Sequence, residues 1–167
     1  MELQLNTDRL YLRNICLDDS TFLLELINSP GWLEFIGDKK ITTEEACKEW
    51  IDSVVLKQLR DLGFTTMVIF RKEDNLPIGV VSLVKRDYLD YLDIGYALLP
   101  EFVGSGYAFE ATKAGLVYAK GDLNSLYVYA IVQDNNIRSK NLLDRLNFIY
   151  EGTVDGGGEV LLKYRDR

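Results

Sequence analysis

The sequence predicts an α/β (α+β) fold: one domain over residues 1–167, with a mixed, mostly antiparallel sheet of six to seven strands flanked by about four helices. Three observations support this prediction. A chain of 167 residues is long enough for one domain with a real core and too short for two. Hydrophobic residues make up 47% of the chain and charged residues 27%, as in globular proteins. Segments of strand and helix periodicity follow each other in the order β-α-α-β-β-β-α-β-α-β-β, without a linker or an internal repeat.

The first part of the chain predicts one strand and one helix followed by a loop. Leu10–Arg13 alternates as a strand, and Asp18-Asp19 can cap a helix from about Ser20 to Asn28. Ser29-Pro30-Gly31 then ends that helix, and Trp32–Gly37 is expected to form an apolar loop. The aromatic residues of this loop either cover the core or form one wall of a pocket.

A second helix and three strands are predicted next. Thr42-Thr43-Glu44-Glu45 is typical of a capping box, and the apolar positions after it predict a helix that ends at Gly63. The three strands should form an antiparallel meander, and they cover Phe64–Arg71, Ile78–Lys85 and Tyr91–Leu99. Gly95 within the last strand indicates a bulge or a close approach by another group.

The segment from Leu98 to Ala111 combines a strand end, a glycine loop and a helix start. Pro100 halts the strand because proline has no N–H for the ladder. Gly104-Ser105-Gly106 forms a tight loop, and a helix then runs to about Lys120 and ends at Gly121. Its small residues share one face and are Ala108, Ala111 and Gly115. Such a loop either serves as a simple turn or binds phosphate through backbone N–H groups at the positive end of the helix dipole.

The last part of the chain predicts a buried strand, a short helix and a hairpin. The strand covers Leu126–Val132, and Asn135-Asn136 can cap a helix that runs through Leu146. Asn147 follows where a left-handed turn is needed, since Asn tolerates that conformation. The hairpin pairs two strands across a glycine-rich turn, namely Ile149–Thr153 and Val160–Tyr164 across Asp155–Gly158.

Two motifs in this order of elements resemble the GNAT superfamily of acyl-CoA-dependent N-acetyltransferases. Val103–Ala108 matches the family pattern x-x-x-Gly-x-Gly/Ala, although Val103 stands where the family has Gln, Arg or an aromatic residue. Asn136–Leu143, which leads into Leu146-Asn147-Phe148, is similar to the family's Asn-x-x-Ser…Leu-Gly-Phe. Asn147 replaces the usual Gly. The stretch from Asp93 to Ala111 most resembles the ribosomal-protein-alanine acetyltransferase-like branch.

The resemblance implies an acetyl-CoA-dependent transfer of an acetyl group to a primary amine, either a protein N-terminus or a small amine, by direct attack in a ternary complex. The pantetheine arm would lie where the strand ending at Leu99 diverges from Leu126–Val132. The residues expected to bind acetyl-CoA are Leu98, Leu99, Val103, Gly104, Ser105, Gly106, Tyr107, Ala108, Asn136 and Asn141. The alternative is a non-catalytic acyl-CoA-binding sensor or interaction module on the same fold.

The resemblance also implies catalytic and acceptor-binding residues. Many relatives use a Tyr on the last-but-one helix as the acid; here Ser139 stands where the branch has Ser, and it serves either as acid or as a helix-cap hydroxyl. Asp93 is the leading candidate for the base, or else a salt-bridged strand carboxylate, with Glu159 and Glu151 in reserve. The expected acceptor pocket lies between the Trp32 loop and the final hairpin, with Trp32, Phe35 and Glu159 as substrate-binding residues.

Composition narrows the possible functions. A net charge of −7 argues against nucleic-acid binding, and the absence of histidine excludes Ser-His-Asp and Cys-His catalysis and most histidine-based metal sites, so no metal is expected. The N-terminal residues lack a signal sequence and no apolar run approaches ~20 residues, so we expect a cytoplasmic protein without a membrane span. We expect Cys16 and Cys47 to be reduced, and the protein to be a monomer or a homodimer.

Overall fold

Eight strands form one mixed sheet in the computed structural model, which describes residues 2–167. The strands are β1 (Gln4–Asn6), β2 (Leu10–Asn14), β3 (Met67–Arg71), β4 (Leu76–Val84), β5 (Asp93–Leu98), β6 (Tyr129–Val132), β7 (Ile149–Asp155) and β8 (Val160–Arg165). Their spatial order is β1-β2-β3-β4-β5-β6-β8-β7, and each neighbouring pair is antiparallel except β5 with β6. The predicted mixed, mostly antiparallel sheet is confirmed, with β1 as an additional strand.

The helices lie on both faces of this sheet. They are α1 (Ser20–Ile27), α2 (Pro30–Phe35), α3 (Glu44–Trp50), α4 (Lys57–Leu62), α5 (Tyr107–Gly121) and α6 (Ile137–Arg145). A π-helical segment (Ile51–Leu56) joins α3 to α4, and 3₁₀ turns cover Leu17–Asp19 and Pro100–Phe102. Among residues 2–167, no helix is both long enough and apolar enough to cross a bilayer.

Two apolar clusters, one on each face, hold the layers together. The first joins the sheet to α5 and α6 and includes Leu12, Ile69, Ile94, Ala111 and Leu143. The second joins the opposite face to α1, α2 and α3 and includes Leu26, Trp32, Cys47, Val68 and Ala97. Ile94 and Ala97 belong to different clusters because successive side chains of a strand point to opposite faces. The strand β5 therefore lies between the two helical layers.

The helix ends follow the local signals in the sequence. Thr43 caps α3 by accepting the N–H of Ala46, and Gly63 ends α4 with a left-handed φ of +80°. The side chain of Asn136 caps α6, and Asn147 follows that helix with a φ of +63°. These helix boundaries are confirmed because each depends on one or two residues that act locally.

The prediction of a loop at Trp32–Gly37 is wrong, because Pro30–Phe35 forms the short helix α2. Pro30 occupies the first helical turn, where the missing N–H would have no intrahelical partner. The proline that we expected only to end α1 also starts α2, and it places Trp32 and Phe35 on a helix.

The bulge expected at Gly95 is also absent from the described part of the sheet. The β4–β5 register is continuous from Gly79–Leu98 to Val84–Asp93, whereas the irregularity falls in the β3–β4 ladder between Ile69 and Phe70. The alternative, a close approach, is confirmed: a Cβ on Gly95 would lie 3.0 Å from the hydroxyl oxygen of Ser82.

Candidate active site

A cavity of about 670 Å³ opens between α2, the end of β5, the glycine loop and α6. Of the residues expected to bind acetyl-CoA, those on its wall are Leu98, Val103, Gly104, Gly106, Ala108, Asn136 and Asn141. Trp32 and Phe35, expected to contact the acceptor, also line the wall. The fold thus brings residues from distant parts of the chain around one space.

The glycine loop presents backbone donors to this cavity. Gly104 and Gly106 have φ angles of +91° and +84°, in the left-handed region that favours glycine, and Gly106 directly precedes α5. Within residues 2–167, the backbone N–H groups of residues 104–109 have no hydrogen-bond acceptor. Because these groups lie at the positive end of the α5 dipole, the loop can bind an anionic group such as a phosphate.

Arg9, for which the sequence predicts no role in the site, contacts this loop and the first turn of α5. Its guanidinium donates to the carbonyl of Ser105 at 2.9 Å and to the carboxylate of Glu110 at 2.7 Å, and it lies 4.5 Å from the ring centroid of Tyr107. Burial raises the pKa of Glu110, but hydrogen bonds from Thr7 and Arg9 outweigh it and leave that pKa below its usual value. The charged pair therefore connects the segment just before β2 to the loop and the first turn of α5.

The sheet splits directly beside the glycine loop. Strands β5 and β6 pair only at Asp93–Tyr129, where the N–H of Tyr129 donates to Leu92 O, and they then diverge. On the other side of β5, the N–H of Leu99 donates to Ile78 O in β4. Since backbone groups of alternate strand residues point to opposite sides, Tyr96 and Leu98 direct theirs into the gap. An extended chain with amide groups could pair with this free edge.

Two hydroxyl groups meet at the wall of the cavity. The hydroxyl groups of Tyr96 on β5 and Ser139 on α6 lie 3.1 Å apart, and both residues line the cavity. Ser139 is only 9% exposed, and its backbone N–H donates to the side chain of Asn136, which caps α6. The hydroxyl of Ser139 therefore makes its contact with Tyr96, while the side chain of Asn136 provides the cap.

Asp93 does not line the cavity and lies at the one position where β5 and β6 pair. Its carboxylate accepts a hydrogen bond from the Arg86 guanidinium at 2.7 Å, and the residue is 4% exposed. Burial raises the pKa of Asp93 to about 6, against the opposing effects of Arg86 and of the Ile131 backbone N–H. A carboxyl with a pKa near 6 can exchange a proton close to neutral pH.

The remaining residues from the predicted site do not line the cavity. Leu99 is buried, with its N–H bonded to Ile78 O and its carbonyl to the N–H of Phe102. Ser105 and Tyr107 contact Arg9 instead. Glu159 is exposed in the turn of the final hairpin, where its carbonyl accepts the N–H of Gly156.

Two positive side chains line the cavity, and one of them lies beside the first turn of α5. Arg138 and Arg145 of α6 line the wall, and the Arg145 guanidinium carbon lies 4.2 Å from the ring centroid of Phe109. Such a stacked guanidinium can attract a phosphate or the face of an aromatic base. Neither residue can be assigned to the site from the sequence, because an Arg on an amphipathic helix does not reveal which side chains surround it.

A glycine loop at a helix N-terminus, beside a split between two parallel strands, defines the kind of acyltransferase architecture that the sequence resemblance implied. Residues 9–149 match the family described as "Acetyltransferase (GNAT) domain". The chain therefore belongs to the GNAT family, and it is an N-acetyltransferase.

Individual relatives agree with this assignment. The uncharacterized N-acetyltransferase YnaD of Bacillus subtilis (strain 168) is 27% identical over 150 residues, which cover 90% of this chain and 85% of that protein. An acetyltransferase structure from Agrobacterium tumefaciens superposes with a TM-score of 0.83 at 21% identity, covering 99% of this chain and 94% of the other. The ribosomal-protein-S5-alanine acetyltransferase of Vibrio fischeri gives 0.80 at 19% identity, covering 98% and 96%. These two structures share the fold of this chain.

Proposed function

We propose that this protein transfers an acetyl group from acetyl-CoA to a primary amine, by direct attack of the amine within a ternary complex. The observation that supports this proposal is the single cavity that joins the glycine loop, the free edge of β5 and the aromatic residues Trp32 and Phe35. One substrate can enter along the loop and the other past α2, so that the two meet beside β5. The acceptor is a protein N-terminus or a small amine.

The glycine loop, the free edge of β5 and Ser139 would bind the successive parts of acetyl-CoA, from the pyrophosphate through the pantetheine arm to the thioester. The pyrophosphate would accept hydrogen bonds from the free N–H groups at the start of α5, with Arg145 nearby. The pantetheine amides would pair with the backbone of Tyr96 and Leu98, as an added strand does. This arrangement would bring the thioester beside Ser139, on the wall shared with Tyr96.

The reaction itself needs one new bond and two proton movements. The neutral amine nitrogen attacks the thioester carbonyl carbon, a C–N bond forms, the C–S bond breaks and coenzyme A leaves as a thiolate. The nitrogen must lose a proton, and the thiolate must gain one. We propose Ser139 as the donor to sulfur. Asp93 stays our candidate base, and since it does not line the cavity, the proton would reach it through water.

Coenzyme A release tests the proposal directly. The protein is mixed with acetyl-CoA and a panel of primary amines that includes peptide N-termini, a polyamine and an amino sugar, and free thiol is measured over time. Amine-dependent thiol release, with matching acetylated product by mass spectrometry, is the expected result. Tight acetyl-CoA binding by calorimetry without release on any amine would instead support the non-catalytic sensor.

A further inference from the structure

The contact between Tyr96 and Ser139 has features of a functional pair. It joins two side chains 43 positions apart in the sequence, on different elements, across a distance of 3.1 Å. Both side chains line the cavity beside the free edge of β5. Asn136 already caps α6, so the helix does not need the Ser139 hydroxyl at its N-terminus.

We propose that Tyr96 and Ser139 form a two-hydroxyl relay that returns a proton to the departing coenzyme A thiolate. This inference rests on the proposed acetyl transfer. Without substrate, Ser139 Oγ donates to Tyr96 Oη. Hydroxyl hydrogens rotate freely, so with coenzyme A bound the direction would reverse. As the C–S bond breaks, Ser139 Oγ then gives its proton to sulfur and takes one from Tyr96 Oη in the same event. Coenzyme A leaves as a thiol, Ser139 is again a neutral hydroxyl, and Tyr96 is left as a phenolate that solvent reprotonates before the next turnover.

The acidity of the two hydroxyl groups explains why a pair is better than Ser139 alone. An ordinary thiol titrates near ~8.5 and a tyrosine near ~10, so a phenol can protonate a thiolate at small energetic cost. An aliphatic hydroxyl is a much weaker acid, and a serine acting alone would end as an unstable alkoxide. Serine can reach the sulfur, while tyrosine supplies a proton of suitable acidity.

The surroundings of Tyr96 are consistent with this role. Burial raises the pKa of Tyr96, so the group holds its proton at neutral pH, and the same burial makes its phenolate more costly than that of an exposed tyrosine. The hydrogen bond with Ser139 and the positive charge of Arg138 on α6 act in the opposite direction and offset part of that cost. Asp93 lies three positions before Tyr96 on β5, so its side chain points to the opposite face of the sheet. The negative charge of Asp93 is therefore not on the face where a Tyr96 phenolate would form.

The alternative is that the hydroxyl pair only fastens α6 to β5. Both roles predict lower stability when a hydroxyl is removed, so stability alone cannot separate them. A relay predicts in addition that the two hydroxyls act as a unit on the rate of acetyl transfer. Tyr96→Phe keeps the ring and removes only the hydroxyl, which makes it the informative variant.

The experiment compares wild type, Tyr96→Phe, Ser139→Ala and the double variant, with Tyr150→Phe as control because Tyr150 is an exposed tyrosine on β7. Single-turnover rate constants for acetyl transfer are measured with enzyme in excess, and acetyl-CoA affinity is measured by calorimetry.

We expect Tyr96→Phe to slow acetyl transfer about ten- to a thousandfold with its acetyl-CoA affinity kept, and the double variant to be no slower than Ser139→Ala. Mixtures of H₂O and D₂O should give a curved rate dependence in wild type and a linear one in Tyr96→Phe.

Each other outcome contradicts a defined part of the proposal. A Tyr96→Phe variant as fast as Tyr150→Phe would overturn the relay while leaving acetyl transfer intact. Additive losses in the double variant, or a linear isotope dependence in wild type, would show that the two hydroxyls act separately and would also overturn it. A wild-type protein that transfers no acetyl group to any amine would contradict the proposed function itself, and the relay with it.

Discussion

At the scale of single residues, the role of the glycine loop can be separated from its backbone strain. Gly106 and Gly63 have nearly equal left-handed φ angles, +84° and +80°, but Gly63 ends α4 and lies outside the cavity wall. A Cβ at Gly63 would meet nothing within 4 Å, and one at Gly106 would meet only the flexible end of Arg9 at 3.2 Å. Alanine at either position should therefore cost a similar ~1–2 kcal/mol of folding stability.

We expect only Gly106→Ala to weaken acetyl-CoA binding, by tenfold or more, because its methyl group would crowd the backbone N–H groups to which we assign the pyrophosphate. Calorimetric titration of both folded variants with acetyl-CoA measures the difference, and chemical denaturation checks that their stabilities match. Equal and unchanged affinities in the two variants would contradict the assignment of the loop to the pyrophosphate.

The titration of Asp93 makes a prediction about stability. Its pKa of about 6 lies above the ordinary value of 3.8, so between about pH 4 and 6 the folded protein binds this proton more tightly than the unfolded chain does. The stabilisation from protonated Asp93 is present below pH 4 and is lost as the pH rises through 6. Asp93→Asn should remove this contribution. Urea unfolding of both proteins from pH 4 to 7 should show a free-energy difference that changes across that range, rather than a constant offset.

The pKa of Asp93 also allows a test of whether this residue is the catalytic base. If Asp93 accepts the proton of the amine, kcat should fall with an apparent pKa near 6 on the acidic side, and Asp93→Asn should flatten that limb. The pH–rate profiles of the two proteins provide the comparison. An identical acidic limb in Asp93→Asn would transfer the role to Glu159, Glu151 or solvent.

At the scale of elements, α5 depends on small residues to approach the sheet. A Cβ on Gly115 would lie 2.8 Å from Val81 Cγ1 in β4, whereas one on Gly121, at the end of the same helix, would meet nothing within 4 Å. Overpacking of this kind typically costs about 1–3 kcal/mol, more than the ~1 kcal/mol by which alanine favours a helix over glycine. The free energy of unfolding should thus fall in Gly115→Ala and stay equal or rise in Gly121→Ala. A stabilised Gly115→Ala would show that the helix can shift without cost.

The elements that could be predicted from the sequence are those whose boundaries depend on local signals. Asn136 and Gly63 fix helix ends through their own side chain or backbone, and both ends agree with the structure. Pro30 predicts only the end of a helix, but the same missing N–H also allows it to start the next one, as it does here. The apolar run at Leu126–Val132 predicts a longer strand than Tyr129–Val132, because the strand begins only where it pairs with Arg165, the last residue of β8.

For the candidate site, too, local motifs can be identified from the sequence, whereas contacts between distant positions cannot. The glycine loop is continuous in sequence, so its motif could be identified directly, and most of its residues line the cavity. The contact of Tyr96 with Ser139 and the support of Ser105 by Arg9 join positions 43 and 96 residues apart. No periodicity or motif in a single sequence connects such positions, because the packing of the sheet brings them together.

At the scale of the whole molecule, net charge and local charge have opposite signs. The chain carries a net charge of −7, yet the cavity wall carries Arg138 and Arg145, and the positive end of α5 lies at the glycine loop. Over the few ångströms of a bound phosphate these nearby groups dominate, since charges beyond ~10 Å are largely screened at ordinary ionic strength. The overall acidity of the chain is therefore compatible with a polyanionic substrate.

The cavity extends from one helical layer to the other, and its α2 end can be tested independently of its loop end. Trp32 is a poor probe, because it is 8% exposed and belongs to the apolar cluster with Leu26 and Cys47. Trp32→Ala should lower folding stability by about 3–5 kcal/mol, whatever its part in binding. Phe35 lines the same wall and is only partly buried, so its truncation should leave the fold largely intact.

We expect Phe35→Ala to raise KM for the amine about tenfold and to leave KM for acetyl-CoA nearly unchanged, because we assign Phe35 to the acceptor and not to acetyl-CoA. Leu33→Ala serves as the control, since Leu33 lies on the same helix, is 41% exposed and does not line the cavity. Steady-state kinetics with each substrate varied in turn give both constants. If Phe35→Ala weakened acetyl-CoA binding instead, or matched Leu33→Ala in every constant, the amine would have to enter elsewhere and α2 would serve mainly to cover the core.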